Sequence, residues 1–126
     1  MAQVLIVDDL DELREFLCDL LTESGHTVVS ATNGSEGVEC ARNSKFDLLI
    51  TDIFMPEMDG IELIRLVSQL QPNVPIIAIS AGDRRGRTDT LEFAEDFGAD
   101  RIFVKPFDVS KFLIAVNELL AQKETE

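Results

Sequence analysis

The sequence predicts a doubly wound α/β fold: a five-stranded parallel sheet with helices on both faces. Two observations carry this. Short apolar runs without polar alternation, the mark of strands buried on both sides, recur five times along the 126 residues, and each is followed by apolar residues at helical spacing. The connections are short, so the alternation reads as right-handed strand–helix–strand crossovers. The length suits one domain with a single core.

The elements follow in order. Val4–Val7 is an apolar run stopped by Asp8 and Asp9, and reads as a buried strand. Leu13, Phe16, Leu17, Leu20 and Leu21 are spaced as one face of a helix, which Gly25 closes. His26–Ala31 is a second strand, and Ser35–Asn43 a weaker helix with Val38 and Ala41 facing inward. Asp47–Thr51 is a third strand, followed by a turn from Met55 through Pro56 to Gly60 and a helix over 61–70, stopped near Pro72. Pro75–Ser80 is the fourth strand. A polar loop leads to a helix over about Asp89–Phe97, and Arg101–Val104 is the fifth strand. Asp108 caps a last helix with Val109, Phe112, Leu113, Val116 and Leu120 on one face. The domain is expected to span 1–122, with a polar tail at 123–126. Periodicity does not order the strands; 2-1-3-4-5, the flavodoxin-like order, is the leading candidate because it is common at this size.

Composition narrows the function classes. A formal net charge of −13 would repel nucleic acid and anionic membranes, so neither is an expected direct partner. No apolar run approaches the ~20 residues that span a bilayer, and the N-terminus does not read as a signal peptide. Cys18 and Cys40 have no metal-ligand spacing and read as half-buried thiols in a reducing cytosol. A cytoplasmic protein is expected.

Ligands of open parallel sheets bind at the carboxyl ends of the strands, where strand order reverses. Asp8 and Asp9 follow the first strand, Asp52 the third, Lys105 and Pro106 the fifth; Ser80 ends the fourth, followed by Ala81. Singly, each has an ordinary explanation: Asp9 as a helix cap, Asp52 as a turn residue, Ser80 as a core hydroxyl, Lys105 as a solvated strand-end lysine. Their conjunction on one rim does not. Converging carboxylates need a proton or a cation, and hard oxygens without His or Cys suit magnesium, with manganese as the alternative. A metal beside a carboxylate, a hydroxyl and an ammonium is equipped to hold a phosphoryl group, and a carboxylate can itself accept one.

In their order, the stretches VLIVDDLDELR, LLITDIFMPEMDGIELI, IIAISAGD and GADRIFVKPFD resemble the receiver domain of two-component response regulators, over essentially the whole chain. The resemblance implies that Asp52 is phosphorylated by a sensor histidine kinase, a histidine phosphotransfer protein or small phosphodonors. It implies magnesium bound by Asp9, Asp52 and the backbone carbonyl of Phe54, with Asp8 assisting through water. Ser80 and Lys105 would bind the phosphoryl oxygens, with a cis Lys105–Pro106 bond. The chain would catalyse only its own aspartyl phosphorylation and dephosphorylation, switch binding of a downstream protein, and be a monomer or a phosphorylation-dependent dimer. It looks like a stand-alone receiver or one cut from a longer protein. Ile102 stands where the family often carries Tyr or Phe as a switch residue, with Phe103 next to it. The 82–90 loop looks long and carries Arg84, Arg85 and Arg87, which reads as solvated or partner-contacting.

Rival classes fit less well. An aspartyl phosphohydrolase commonly has an acid two residues after its nucleophile, where this chain has Phe54. A flavodoxin-like cofactor binder needs a phosphate loop after the first strand, where residues 8–12 (DDLDE) would repel one. A degenerate receiver would not need the complete acidic set with Ser80 and Lys105.

Overall fold

Apolar runs buried on both faces become the central strands of a parallel sheet in the order β2-β1-β3-β4-β5. The computed structural model describes residues 2–55, 57–80 and 98–124. The strands are β1 (Gln3–Val7), β2 (Thr27–Ala31), β3 (Leu48–Asp52), β4 (Ile76–Ser80) and β5 (Arg101–Val104); the described helices are α1 (Asp11–Glu23), α2 (Gly34–Asn43), α3 (Gly60–Leu70) and α4 (Val109–Glu124). All pairs are parallel, with Ile6 opposite Ser30 and Ile50, Ile50 opposite Ile77, and Ile79 opposite Phe103.

Strand pleat sends alternate side chains to opposite faces. Val4 and Ile6 of β1 join Leu48, Ile50, Ile77 and Ile79 under Leu17 and Leu21 of α1 and Phe112, Val116 and Leu120 of α4. Leu5 and Val7 join Leu49, Ile76 and Ala78 under Val38 and Ala41 of α2 and Leu63, Ile64 and Val67 of α3. The expected single core is therefore two apolar layers separated by the sheet. Phe103 meets the rings of Phe107 and Phe112 at 5.6 and 5.5 Å on the α1–α4 side, while Ile102 packs on the other.

Several expectations shift. Phe16 does not face inward and is 46% exposed. At 3.6 residues per turn it lies about 100° from Leu17, off the buried stripe. Asp9 does not cap α1: the N-cap is Leu10, with no side-chain cap bond. β3 runs one residue later than expected, to Asp52, which pairs with Ile79. α2 and α3 each begin one residue earlier, after Asn33 and Asp59, whose side chains accept from Glu36 and Glu62 N–H. Asp108 accepts from Lys111 N–H at the start of α4, as expected of a cap. The backbone of α4 runs to Glu124. Gly25 closes α1 at φ 96°, a conformation that L side chains rarely adopt. Pro56, Ala81, the 82–90 loop with its arginines, the helix expected at 89–97 and the last two residues of the tail lie outside the described residues. None of the described helices is long and apolar enough to cross a membrane.

Candidate functional site

The reversal of strand order falls at β1, which has β2 on one side and β3 on the other. Asp8 leaves β1 with its N–H still bonded to the Ala31 carbonyl (3.2 Å), and Asp52 ends β3. Oxygens of Asp8, Asp9 and Asp52 lie within 4.8 Å of one another. Lys105, the first residue beyond β5, donates its backbone N–H to the Ser80 carbonyl (2.7 Å), and its Nζ lies 3.5 Å from Asp52 Oδ2 and 3.7 Å from Asp8 Oδ2. The Lys105–Pro106 bond is cis, as the resemblance implied. The rim residues read from the sequence thus converge; Ser80, buried at the end of β4, sits on the same rim.

Burial sets the electrostatics. Asp52 is 3% exposed and its pKa is raised to about 6, first by desolvation and then by the charge of Asp8, with Lys105 and the Phe54 N–H opposing. Burial also raises the pKa of Asp8, against the Leu10 N–H and Lys105. Asp8 Oδ1 accepts from Leu10 N–H (2.9 Å), and Asp52 Oδ1 from Phe54 N–H (3.3 Å). Asp8 Oδ2 is buried with no hydrogen-bond partner among the described residues. An orphaned carboxylate oxygen beside two more carboxylates fits a hard divalent cation, which prefers oxygen ligands and would relieve the repulsion.

Two residues that the sequence reading gave no role hold this geometry. Gly60 starts α3 against the end of β3: a Cβ there would lie 2.2 Å from the Asp52 carbonyl oxygen and 2.7 Å from Ile53 Cα. Its N–H bonds the Ile53 carbonyl at 2.7 Å, closing the loop that carries Phe54. Arg14 reaches back from α1 to the Asp8 carbonyl (Nη1, 2.9 Å). The Asp59 cap and the glycine after it were a signal for the first; for the second, the signal was a cation near the N-terminal end of α1. A separate cleft of about 470 Å³ between β2 and α2, lined by Val29, Glu36, Cys40 and Phe46 among others, contains none of the rim residues.

A family model described as the response regulator receiver domain matches residues 4–117. The chemotaxis protein CheY of Thermotoga maritima is 40% identical over 118 residues, covering 93% of this chain and 96% of that protein. The response regulator ArlR of Staphylococcus aureus is 34% identical over 125 residues, 98% of this chain; the chain spans only about half (54%) of ArlR. Among solved structures, a CheY-like receiver domain protein from Methanospirillum hungatei superposes with a TM-score of 0.92 at 27% identity, covering 99% of this chain and 98% of that one. The response regulator TrrA of Thermotoga maritima, solved in complex with Mg2+-BeF, gives 0.80 at 31% identity over 94% of this chain and 99% of its own. The agreement runs from β1 into α4, and the chain belongs to the response regulator receiver domains of two-component signalling.

Proposed function

We propose that Asp52 is the phospho-acceptor of this receiver and that magnesium is its metal. The observation that supports this best is the buried Asp52 carboxylate, 3.5 Å from Lys105 Nζ and grouped with Asp8 and Asp9, where Asp8 Oδ2 is buried without a hydrogen bond. Asp9, Asp52 and the Phe54 carbonyl would hold Mg2+, with Asp8 bound through water; Mn2+ suits the same oxygens. When bound, the metal supplies charge to neutralise the entering phosphoryl oxygens. An ionised Asp52 oxygen attacks the donor phosphorus, a P–O bond forms, and the donor's P–N or P–O bond breaks, its electron pair leaving with the donor, which takes up a proton. Lys105 pairs with a phosphoryl oxygen in place of the Asp52 carboxylate, and the Ser80 hydroxyl donates to another. Phe54 carries no acid for turnover on external substrates, so the chain catalyses only its own phosphorylation and dephosphorylation. Receiver domains act between kinases and downstream targets; here the donor is a sensor histidine kinase or a histidine phosphotransfer protein in the cytoplasm, and the output is altered binding of a protein partner, as a monomer or a phosphorylation-dependent dimer.

Intact-mass measurement after incubation with acetyl phosphate or phosphoramidate tests this. One phosphoryl group should be gained with Mg2+ and none with chelator or in Asp52→Asn. Equal labelling of Asp52→Asn would remove Asp52 from the role.

A further inference from the structure

We infer that Arg14 is a positioning residue of the acidic cradle, its guanidinium locking the Asp8–Asp9 peptide so that the Asp9 carboxylate stays within reach of Asp8 and Asp52. The inference rests on the metal reading above. Arg14 is not where helix energetics would put it. It lies near the N-terminal end of α1, where exposed backbone N–H groups present partial positive charge and disfavour a cation. Its side chain is only 12% exposed, although a long charged side chain is usually solvated.

Its donors account for the placement. Nη1 donates to the Asp8 carbonyl at 2.9 Å, and Nη2 to Asp11 Oδ1 at 2.5 Å. The Asp8 carboxylate in turn accepts from Leu10 N–H at 2.9 Å. Residue 8 is thus held at the start of α1 through two acceptors: its carboxylate takes the backbone N–H of the N-cap Leu10, and its carbonyl takes the Arg14 guanidinium. None of these bonds uses the Asp9 carboxylate; the peptide they fix aims the Asp9 Cα–Cβ bond. A planar fork with fixed donor directions can bridge a carbonyl and a carboxylate in this way; an ammonium supplies the charge without the fork.

The two effects of Arg14 on a bound cation have opposite signs, which makes the inference testable. As a charge alone, Arg14 repels Mg2+, and its removal would tighten binding. As a lock on the peptide, its removal loosens the ligand set and weakens binding, as losing a partner that orients a metal ligand does. The experiment is calorimetric titration of the complete chain with Mg2+, without phosphodonor, for wild type, Arg14→Ala and Arg14→Lys. Melting temperature in chelator reports stability separately. Both variants are expected to bind Mg2+ about tenfold more weakly. Wild-type affinity in Arg14→Lys overturns the inference, as does unchanged or tighter binding in Arg14→Ala. If the alanine variant does not fold, the lysine variant decides. A wild type that binds no Mg2+ overturns the metal reading and this inference with it, whereas a normal wild type with indifferent variants overturns the inference alone.

Discussion

Replacing Asp52 by asparagine should make the metal-free protein more stable, although it removes the proposed phospho-acceptor. Asp52 is almost fully buried, and its pKa rises from 3.8 to about 6, chiefly through desolvation and the neighbouring Asp8 charge. A raised carboxylate pKa means that the folded state holds the proton more tightly than the unfolded chain. The stabilisation it gives is complete below pH 3.8 and lost as pH rises through about 6. At pH 7.5 the ionised group therefore costs about 3 kcal/mol, from roughly two pKa units at 1.36 kcal/mol each. Asparagine keeps an oxygen for the Phe54 N–H, and Lys105 keeps Asp8 at 3.7 Å. The gain expected in chelator at pH 7.5 is about 3 kcal/mol, roughly 10 °C in Tm for a chain of this size. It should fall to about half by pH 5 and to about a fifth at pH 4. Urea or thermal melts of both proteins across pH 4–8, with chelator, measure it. An asparagine variant no more stable than wild type at pH 7.5, or a gain that does not shrink in acid, would refute the reasoning.

Three further outcomes follow from the same geometry. Mg2+ at tenfold its Kd should add about 1.4 kcal/mol to wild-type stability, less in Asp9→Asn, and its apparent affinity should weaken as pH falls through about 6 and Asp52 takes up a proton; identical melts with millimolar Mg2+ and with chelator would count against the metal. Gly60→Ala should destabilise the fold by about 1–3 kcal/mol and weaken Mg2+ binding, because the new Cβ collides with the Asp52 carbonyl; Gly34→Ala, which meets only the side chain of Met58 at 2.8 Å, should spare Mg2+ binding in the same titration. Phe54 is 45% exposed beside the acceptor and cannot orient a water, so Phe54→Asn should speed loss of the phosphoryl group in a mass time course, and an unchanged or slower loss would reject that role.

The parts of this molecule legible in its sequence are those encoded by local period and by residue type at strand ends. β5 occupies the residues expected of it, Arg101–Val104, and the strand order matches the leading candidate. Asp8, Asp9, Asp52, Ser80 and Lys105 could be gathered on one rim because the topology of a parallel sheet brings its strand ends together. What stayed hidden depends on direction in space. Phe16 has the apolarity of its neighbours but lies to the side of the stripe centred on Leu17 and Leu21. Whether Asp9 capped α1 or faced the site could not be read from spacing; the structure gives the Leu10 N–H to Asp8 instead, so Asp9 is not needed at the helix end.

Arg14 was the least legible, because an arginine on an amphipathic helix is by default a solvated charge. The sign of its position is the one feature of the sequence that argued otherwise. Asp11 and Glu12 suit the positive end of α1, whereas a cation there is favoured only when specific acceptors repay the unfavourable field. Those acceptors are a strand-end carbonyl and a helix carboxylate, and the same guanidinium that bridges them brings a positive charge close to Asp8. Among the described residues, positive charge reaches the rim from Lys105, at 3.5 Å from Asp52 and 3.7 Å from Asp8, and from Arg14, bonded to the Asp8 carbonyl. On the reading proposed above, Arg14 would offset part of the carboxylate charge from a fixed position, and Lys105 would be the side chain that answers an entering phosphoryl group.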